Sequence, residues 1–287
     1  MKIAHLILTY TDPKLTERLI KVLAHPQFDF YIHVDQKFSI EPYLYLKKYP
    51  NVFFIKDRED VRWAGYNTIK ATFKCIREIV ASGIQYGYIN FMSGQDYPIR
   101  SAQYILDFFE RNKGKQFIEY QSIDKDWIEA QPRISQYHLT NFKFKGKHRV
   151  ERVLNMITPK RKLPNDLVPY GKAMFWVMEP ERAMYVVRYV EEHPRLDRFF
   201  RFTWGSDEFV FQTILMNSAH RNELVNDDLR YIDWSGGGSH PKVLDKSDLD
   251  KILASDDLFI RKVNSKVSGE LLDALDQHIL ATPSAKT

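Results

Sequence analysis

The segment Arg201-Phe-Thr-Trp-Gly-Ser-Asp-Glu-Phe-Val-Phe-Gln-Thr213 sets two adjacent carboxylates, Asp207 and Glu208, among the aromatic side chains Phe202, Trp204, Phe209 and Phe211. A carboxylate kept partly dry resists ionisation. Its pKa rises toward neutrality, and it can take a proton from a substrate as a general base. The same residues allow a plainer role: Ser206 can cap the helix that the following residues predict, and the two acids then complement its positive dipole end. Taken alone, the segment favours that plainer role, and the rest of the chain must decide.

Two later places pair positive charge with apolar surroundings. Arg230 stands in Leu-Arg-Tyr-Ile-Asp-Trp234, and Arg261-Lys262 in Leu-Phe-Ile-Arg-Lys-Val263. A cation that interrupts an apolar run either snorkels to water or meets an anion. Arginine suits a forked contact with phosphate oxygens, and lysine a point contact. Such cations are what a leaving diphosphate needs if no metal neutralises it. The sequence has no HExxH and no paired Cys/His cluster. His33 and Asp35 share a strand face, but Asp35 is a single carboxylate with Lys37 beside it, which disfavours a hard Mg²⁺ or Mn²⁺ site, so no metal is expected. There is neither a GxxxxGK[ST] loop nor a strand-linked GxGxxG, and Gly236–Gly238 reads as a mobile loop.

The elements that must position these groups alternate. Buried strands are predicted over 3–9, 28–34, 52–55 and 86–92, with helices from Asp12-Pro13 to about Leu23, around 42–49 and over 67–81. Alternation at this spacing predicts βαβ units and a mainly parallel sheet flanked by helices. Ligands of such sheets sit beyond the carboxyl ends of the strands, where Thr9, Asp35 and the Ser93–Asp96 segment fall. Residues 123–148 form a long irregular excursion suited to an acceptor-binding wall, and the basic run 143–152 reads as a solvated face. Further on, a strand is predicted over 174–178 and helices over 181–191, 248–253 and 269–280.

Composition narrows the class. The 287 residues are 44% hydrophobic and 28% charged, ordinary for a soluble globular protein. The net charge of +5 suits an anionic ligand and is too small to argue for duplex nucleic acid. With Cys75 as its one cysteine the chain can form no internal disulfide, which fits a reduced cytosol. The start MKIAHLILTY reads as a strand rather than a signal peptide, and no apolar window is long enough to span a bilayer. A cytoplasmic protein is expected, at most peripheral at the inner face of a membrane.

Five segments in order resemble the core-2/I-branching β-1,6-N-acetylglucosaminyltransferases and the related peptide O-xylosyltransferases. They are His5-Leu-Ile-Leu-Thr-Tyr10, Tyr31-Ile-His-Val-Asp-Gln-Lys37, Tyr88-Ile-Asn-Phe-Met-Ser-Gly-Gln-Asp-Tyr-Pro-Ile99, Trp204-Gly-Ser-Asp-Glu-Phe209, and Arg230-Tyr-Ile-Asp-Trp234 with Leu258-Phe-Ile-Arg-Lys262. The resemblance implies a GT-A type glycosyltransferase fold, a single catalytic domain over 1–280 and a tail over 281–287. The nucleotide-binding part would be about 1–120, and the acceptor and catalytic part about 121–280. It implies an inverting, metal-independent transfer with no cofactor beyond the UDP-sugar substrate. UDP-GlcNAc is the first donor and UDP-xylose the second, with a glycan hydroxyl as acceptor.

By the same resemblance Glu208 is the base, and Arg230 with Lys262 holds the diphosphate. Asp35 contacts the uridine with Thr9 and Trp63 as neighbours, and Asp96 lies near the sugar or acceptor. The chain lacks the anchor, stem and many cysteines of animal members, which points to a bacterial-type relative. Two rivals remain: a non-catalytic nucleotide-sugar or carbohydrate-binding module, and a single-stranded nucleic-acid binder, for which no RNP-like or OB-like pattern is present.

Overall fold

The computed structural model describes residues 1–238 and 240–281. Along the chain run strands β1 (Lys2–Thr9), β2 (Phe28–Val34), β3 (Val52–Phe54), β4 (Tyr86–Ser93), β5 (Asp96–Pro98), β6 (Gln116–Ser122), β7 (Tyr170–Met178), β8 (Leu224–Val225), β9 (Arg230–Ile232) and β10 (Phe259–Arg261). The α-helices are α1 (Pro13–Val22), α2 (Asn67–Ala81), α3 (Ala102–Arg111), α4 (Gln131–Ser135), α5 (Lys147–Ile157), α6 (Pro180–Glu192), α7 (Pro194–Arg201), α8 (Val210–Met216), α9 (Leu249–Leu253) and α10 (Gly269–Ala281). The chain adopts the expected α/β class, with mainly parallel strand pairing and interleaved helices. Of the tail expected over 281–287, Ala281 ends α10 and 282–287 lie outside the described residues. Among the described residues no helix is long and apolar enough to cross a membrane.

These residues form two compact units. One gathers Met1–Lys56, Ile84–Gly114 and the chain from Leu229 on; the other gathers Asp57–Gly83 and Lys115–Asp228. The division does not fall at one point near residue 120, because the stretch carrying Arg230 and Lys262 belongs with the N-terminal strands.

In the first unit the strand order is β3-β2-β1-β4, all parallel. The continuous apolar runs have their expected consequence. β2 is buried along its whole length, and Ile3, Leu6, Ile7, Phe30 and Ile32 are fully buried. Each such side chain stabilises the fold by about 1.5–3 kcal/mol. Asp12 caps α1 by accepting from Leu15 N at 3.0 Å, and Pro13 opens the helix. The helix expected around 42–49 is a 3-10 segment, Glu41–Lys48. The strand ends meet as predicted: Asp35 N donates to Thr9 O at 2.9 Å, and Gly94 N to Leu8 O at 2.8 Å.

The crossing at Gly94 is tight, since a Cβ built there lies 2.6 Å from Thr9 Oγ1 and 2.9 Å from Thr9 Cβ. Gly94→Ala is therefore expected to destabilise the protein by about 1–3 kcal/mol. A denaturation midpoint equal to that of the parent chain would show that the strand ends are looser than this. A second sheet of the same unit, ordered β5-β10-β9, pairs Asp96 with Arg261 and Arg230 with Phe259 in register.

In the second unit β6 pairs antiparallel with β7 and parallel with β8. Helix α8 packs on β7 and β6, and α6 packs on α2, α7 and α8. Trp176 and Phe211, both buried, lie 4.9 Å apart at their ring centroids, and Phe73 meets Phe211 edge-on. The basic run over 143–152 is a solvated face as expected, and it leads into α5, in which no residue is buried.

Candidate active site

Glu208 ends a single 3-10 turn, Ser206–Glu208, that precedes α8. Gly205 enters the turn with a left-handed φ of 68°, and its carbonyl accepts from Glu208 N at 2.9 Å. The capping role expected for Ser206 is not found. Its Oγ is buried without a hydrogen-bond partner, and the turn has no side-chain cap. The carboxylates therefore do not sit in the first turn of α8, where the dipole would hold their pKa values down.

The Glu208 carboxylate is about one-third exposed, at 32%, and accepts a hydrogen bond from Arg133 Nη1 at 2.6 Å. Arg133 lies between two indoles, its Cζ 4.7 Å from the Trp127 ring centre and 4.4 Å from that of Trp204. Lys172 Nζ is 5.2 Å from the Trp127 ring centre, and Trp127 stacks on Phe209. Burial raises the Glu208 pKa, and the Arg133 and Lys172 charges oppose it. Asp207 is raised by burial first and by the Glu208 charge second. Sequence reasoning saw the two acids and their aromatic surroundings but missed Arg133. It lies 75 residues before Glu208, within the excursion read as an acceptor wall.

A cavity of about 620 Å³ opens next to this ion pair, lined by Trp63, Arg133, His138, Lys147, Glu151 and Trp204 among others. Trp63 is 58% exposed and meets Trp204 edge-on at 5.1 Å. Ala64 holds a left-handed φ of 57°, and its carbonyl accepts from Gly205 N at 2.8 Å, tying the Trp63 segment to the Glu208 turn.

The first unit carries Arg230, Arg261 and Lys262. Asp96 is fully buried, and its Oδ1 accepts from Arg261 Nη1 at 2.7 Å while its Oδ2 accepts from Ser93 N at 3.0 Å and lies 3.4 Å from Arg230 Nε. Arg230 donates through Nη2 to Phe91 O at 2.7 Å and Asn90 Oδ1 at 3.1 Å, and its side chain is 0% exposed. The network ends at buried His5, 3.1 Å from Asn90 Nδ2 through Nδ1. Burial, then the Arg230 charge, lowers the His5 pKa to about 3, so this imidazole is neutral. Lys262 follows β10, half-buried, and burial together with the Arg261 charge lowers its pKa. Asp35 is buried beside Thr9, with Lys37 Nζ 3.1 Å from its Oδ2. Among the described residues no three His, Cys, Asp or Glu side chains are grouped as a metal ion would require.

The model of the Core-2/I-Branching enzyme family matches residues 3–253. The chain belongs to this family. It is similar to xylosyltransferase oxt of Drosophila pseudoobscura pseudoobscura, 25% identical over 76% of this chain and 24% of that protein. Human xylosyltransferase 2 is 24% identical over 92% of this chain and 32% of its own length. A human N-acetyllactosaminide beta-1,6-N-acetylglucosaminyl-transferase is 24% identical over 83% of this chain and 60% of that one. The chain thus spans about a quarter to a third of the xylosyltransferases it matches.

In this Core-2/I-Branching chain the predicted site residues form two groups. Thr9, Asp35, Asp96, Arg230 and Lys262 belong to the first unit, whereas Glu208 and Trp63 belong to the second. Arg230 is turned inward in this structure: its side chain is 0% exposed, and it donates to Asn90 Oδ1 and Phe91 O beside the Asp96 carboxylate. Asp96 is likewise turned inward, on two arginines and the Ser93 amide. Trp63 packs edge-on with Trp204 on the cavity wall.

Proposed function

We propose that this chain is an inverting glycosyltransferase that moves N-acetylglucosamine from UDP-GlcNAc to a hydroxyl of a glycan acceptor, with no metal in the reaction. The observation that carries the reading is Glu208, a carboxylate with a raised pKa bonded to Arg133, which lines a cavity walled by Trp63 and Trp204. Glu208 takes the proton of the acceptor hydroxyl as that oxygen attacks the anomeric carbon. The bond from that carbon to the diphosphate breaks, and a single displacement inverts the centre. Trp63 and Trp204 offer ring faces and edges to the acceptor sugar.

Arg261 and Lys262 supply positive charge to the leaving UDP. Lys262 is held below its ordinary pKa by burial and by Arg261, so the charge of an arriving anion favours its protonated form. Asp35 and Thr9, at the strand ends, face the uridine. UDP-xylose is the second donor, a reading favoured by the relatives named xylosyltransferases.

Calorimetric titration with UDP-GlcNAc, UDP-xylose and UDP-glucose in excess EDTA tests the donor site. Binding is expected to survive chelation, and Lys262→Ala is expected to weaken UDP by roughly tenfold or more while leaving uridine unchanged. Binding that appears only with Mn²⁺ overturns the metal-free reaction. Equal weakening of UDP and uridine removes Lys262 from the diphosphate.

A further inference from the structure

A surface helix ordinarily turns its apolar stripe to the core and its polar residues to water. Helix α5 does the reverse. Its polar side is fastened inward: Glu151 accepts from Leu139 N at 2.7 Å, and Asn155 exchanges hydrogen bonds with the Tyr137 N and O at 2.7 and 2.8 Å. Its apolar side points outward, with Val150, Val153, Met156 and Ile157 exposed by 50%, 54%, 76% and 73%. These four residues recur at helical spacing and form one stripe.

The surroundings of the stripe are cationic. Lys143, Lys145, Arg149, Arg152, Lys160 and Lys162 are all exposed, and Glu151, already turned inward, is the one acid between residues 141 and 163. Phe142 and Phe144, exposed by 41% and 45%, add apolar area next to the first two lysines.

We propose that α5 and its flanks are a docking surface for an anionic lipid bilayer, with the aliphatic stripe seated at the headgroup boundary and the lysines and arginines against lipid phosphates. A cationic amphipathic helix with an unburied aliphatic face is the chemistry that such an interface selects. A second copy of the chain is a poorer occupant, because pairing the faces would set two cationic rims against each other. Nucleic acid is poorer too, since the most exposed apolar residues of the surface are the aliphatic side chains of the α5 stripe, and of the two flanking rings Phe142 is already stacked on Phe202. Helix α5 also contributes Lys147, His148 and Glu151 to the cavity that holds Trp63 and Trp204, so the lipid-facing element walls the candidate acceptor site.

Flotation with vesicles of phosphatidylcholine alone, and of phosphatidylcholine with phosphatidylglycerol, tests the surface. The chain is expected to float only with the anionic vesicles, and less as salt is raised. Arg149→Gln with Arg152→Gln is expected to weaken partition by about thirtyfold, roughly fivefold per cation. Met156→Asp with Ile157→Asp is expected to weaken it by more than about tenfold. All four positions are solvent-exposed, so circular dichroism and unfolding midpoints are expected to match the parent chain. Failure to float with anionic vesicles at low salt overturns the proposal, as does flotation untouched by the aspartates. A dimer in sedimentation that Met156→Asp dissociates assigns the face to a second copy instead.

Discussion

Glu208→Gln is expected to lower kcat by about 10²–10⁴-fold while donor affinity and the unfolding midpoint stay near those of the parent chain. Glutamine has nearly the shape of glutamate, and its carbonyl oxygen can still accept from Arg133, whose guanidinium remains between Trp127 and Trp204. What is lost is the capacity to take a proton. The acid limb of the rate profile gives an independent readout. A base works ionised, so transfer should fall as pH drops through the Glu208 pKa, and burial places that limb above the ordinary glutamate range. The limb should be absent from the residual activity of the glutamine variant. Steady-state transfer measured across pH, beside donor titration of the same variant, separates the possibilities. Retained turnover would remove Glu208 from the chemistry. Loss of donor binding with a lowered unfolding midpoint would give it a structural role.

The sequence made some of this legible and hid the rest for physical reasons. β2 and α2 lie at their expected bounds, because a strand buried on both faces is a continuous apolar run and an amphipathic helix has a strong period. The meeting of Thr9, Asp35 and Gly94 at one sheet edge followed from parallel pairing alone. The return of β9 and β10 to the N-terminal unit could not be read, because three-residue strands carry no usable period. Arg230 illustrates a sharper limit. A cation interrupting an apolar run signals burial with a partner, but not whether that partner is a ligand or an internal carboxylate such as Asp96. The inverted face of α5 was hidden for the opposite reason: its pattern is that of an ordinary amphipathic helix, and only the hydrogen bonds of Glu151 and Asn155 reveal which side faces the protein.

Asp96→Ala is expected to destabilise the chain by about 3–5 kcal/mol, because it leaves two arginines without their shared carboxylate. The wholly buried Arg230 would keep Phe91 O and Asn90 but lose its counter-charge, and Arg261 would lose its 2.7 Å partner next to the proposed diphosphate site. For a chain of this size the unfolding midpoint should fall by roughly 10 °C. The penalty is chiefly that of a buried cation deprived of the Asp96 carboxylate, so adding Arg230→Met to Asp96→Ala should recover part of it, a sign that simple loss of packing would not give. Acid should act on the same network. The native His5 refuses a proton down to about 3 that the unfolded chain accepts near 6.5, so stability drains away as pH falls through that window. Thermal unfolding of the single and double variants, paired with UDP titration, decides the matter. A variant as stable as the parent that fails only in transfer would return Asp96 to the substrate. A destabilised variant whose folded fraction binds UDP more weakly would place it behind the Arg261–Lys262 edge as the strut that positions the two cations.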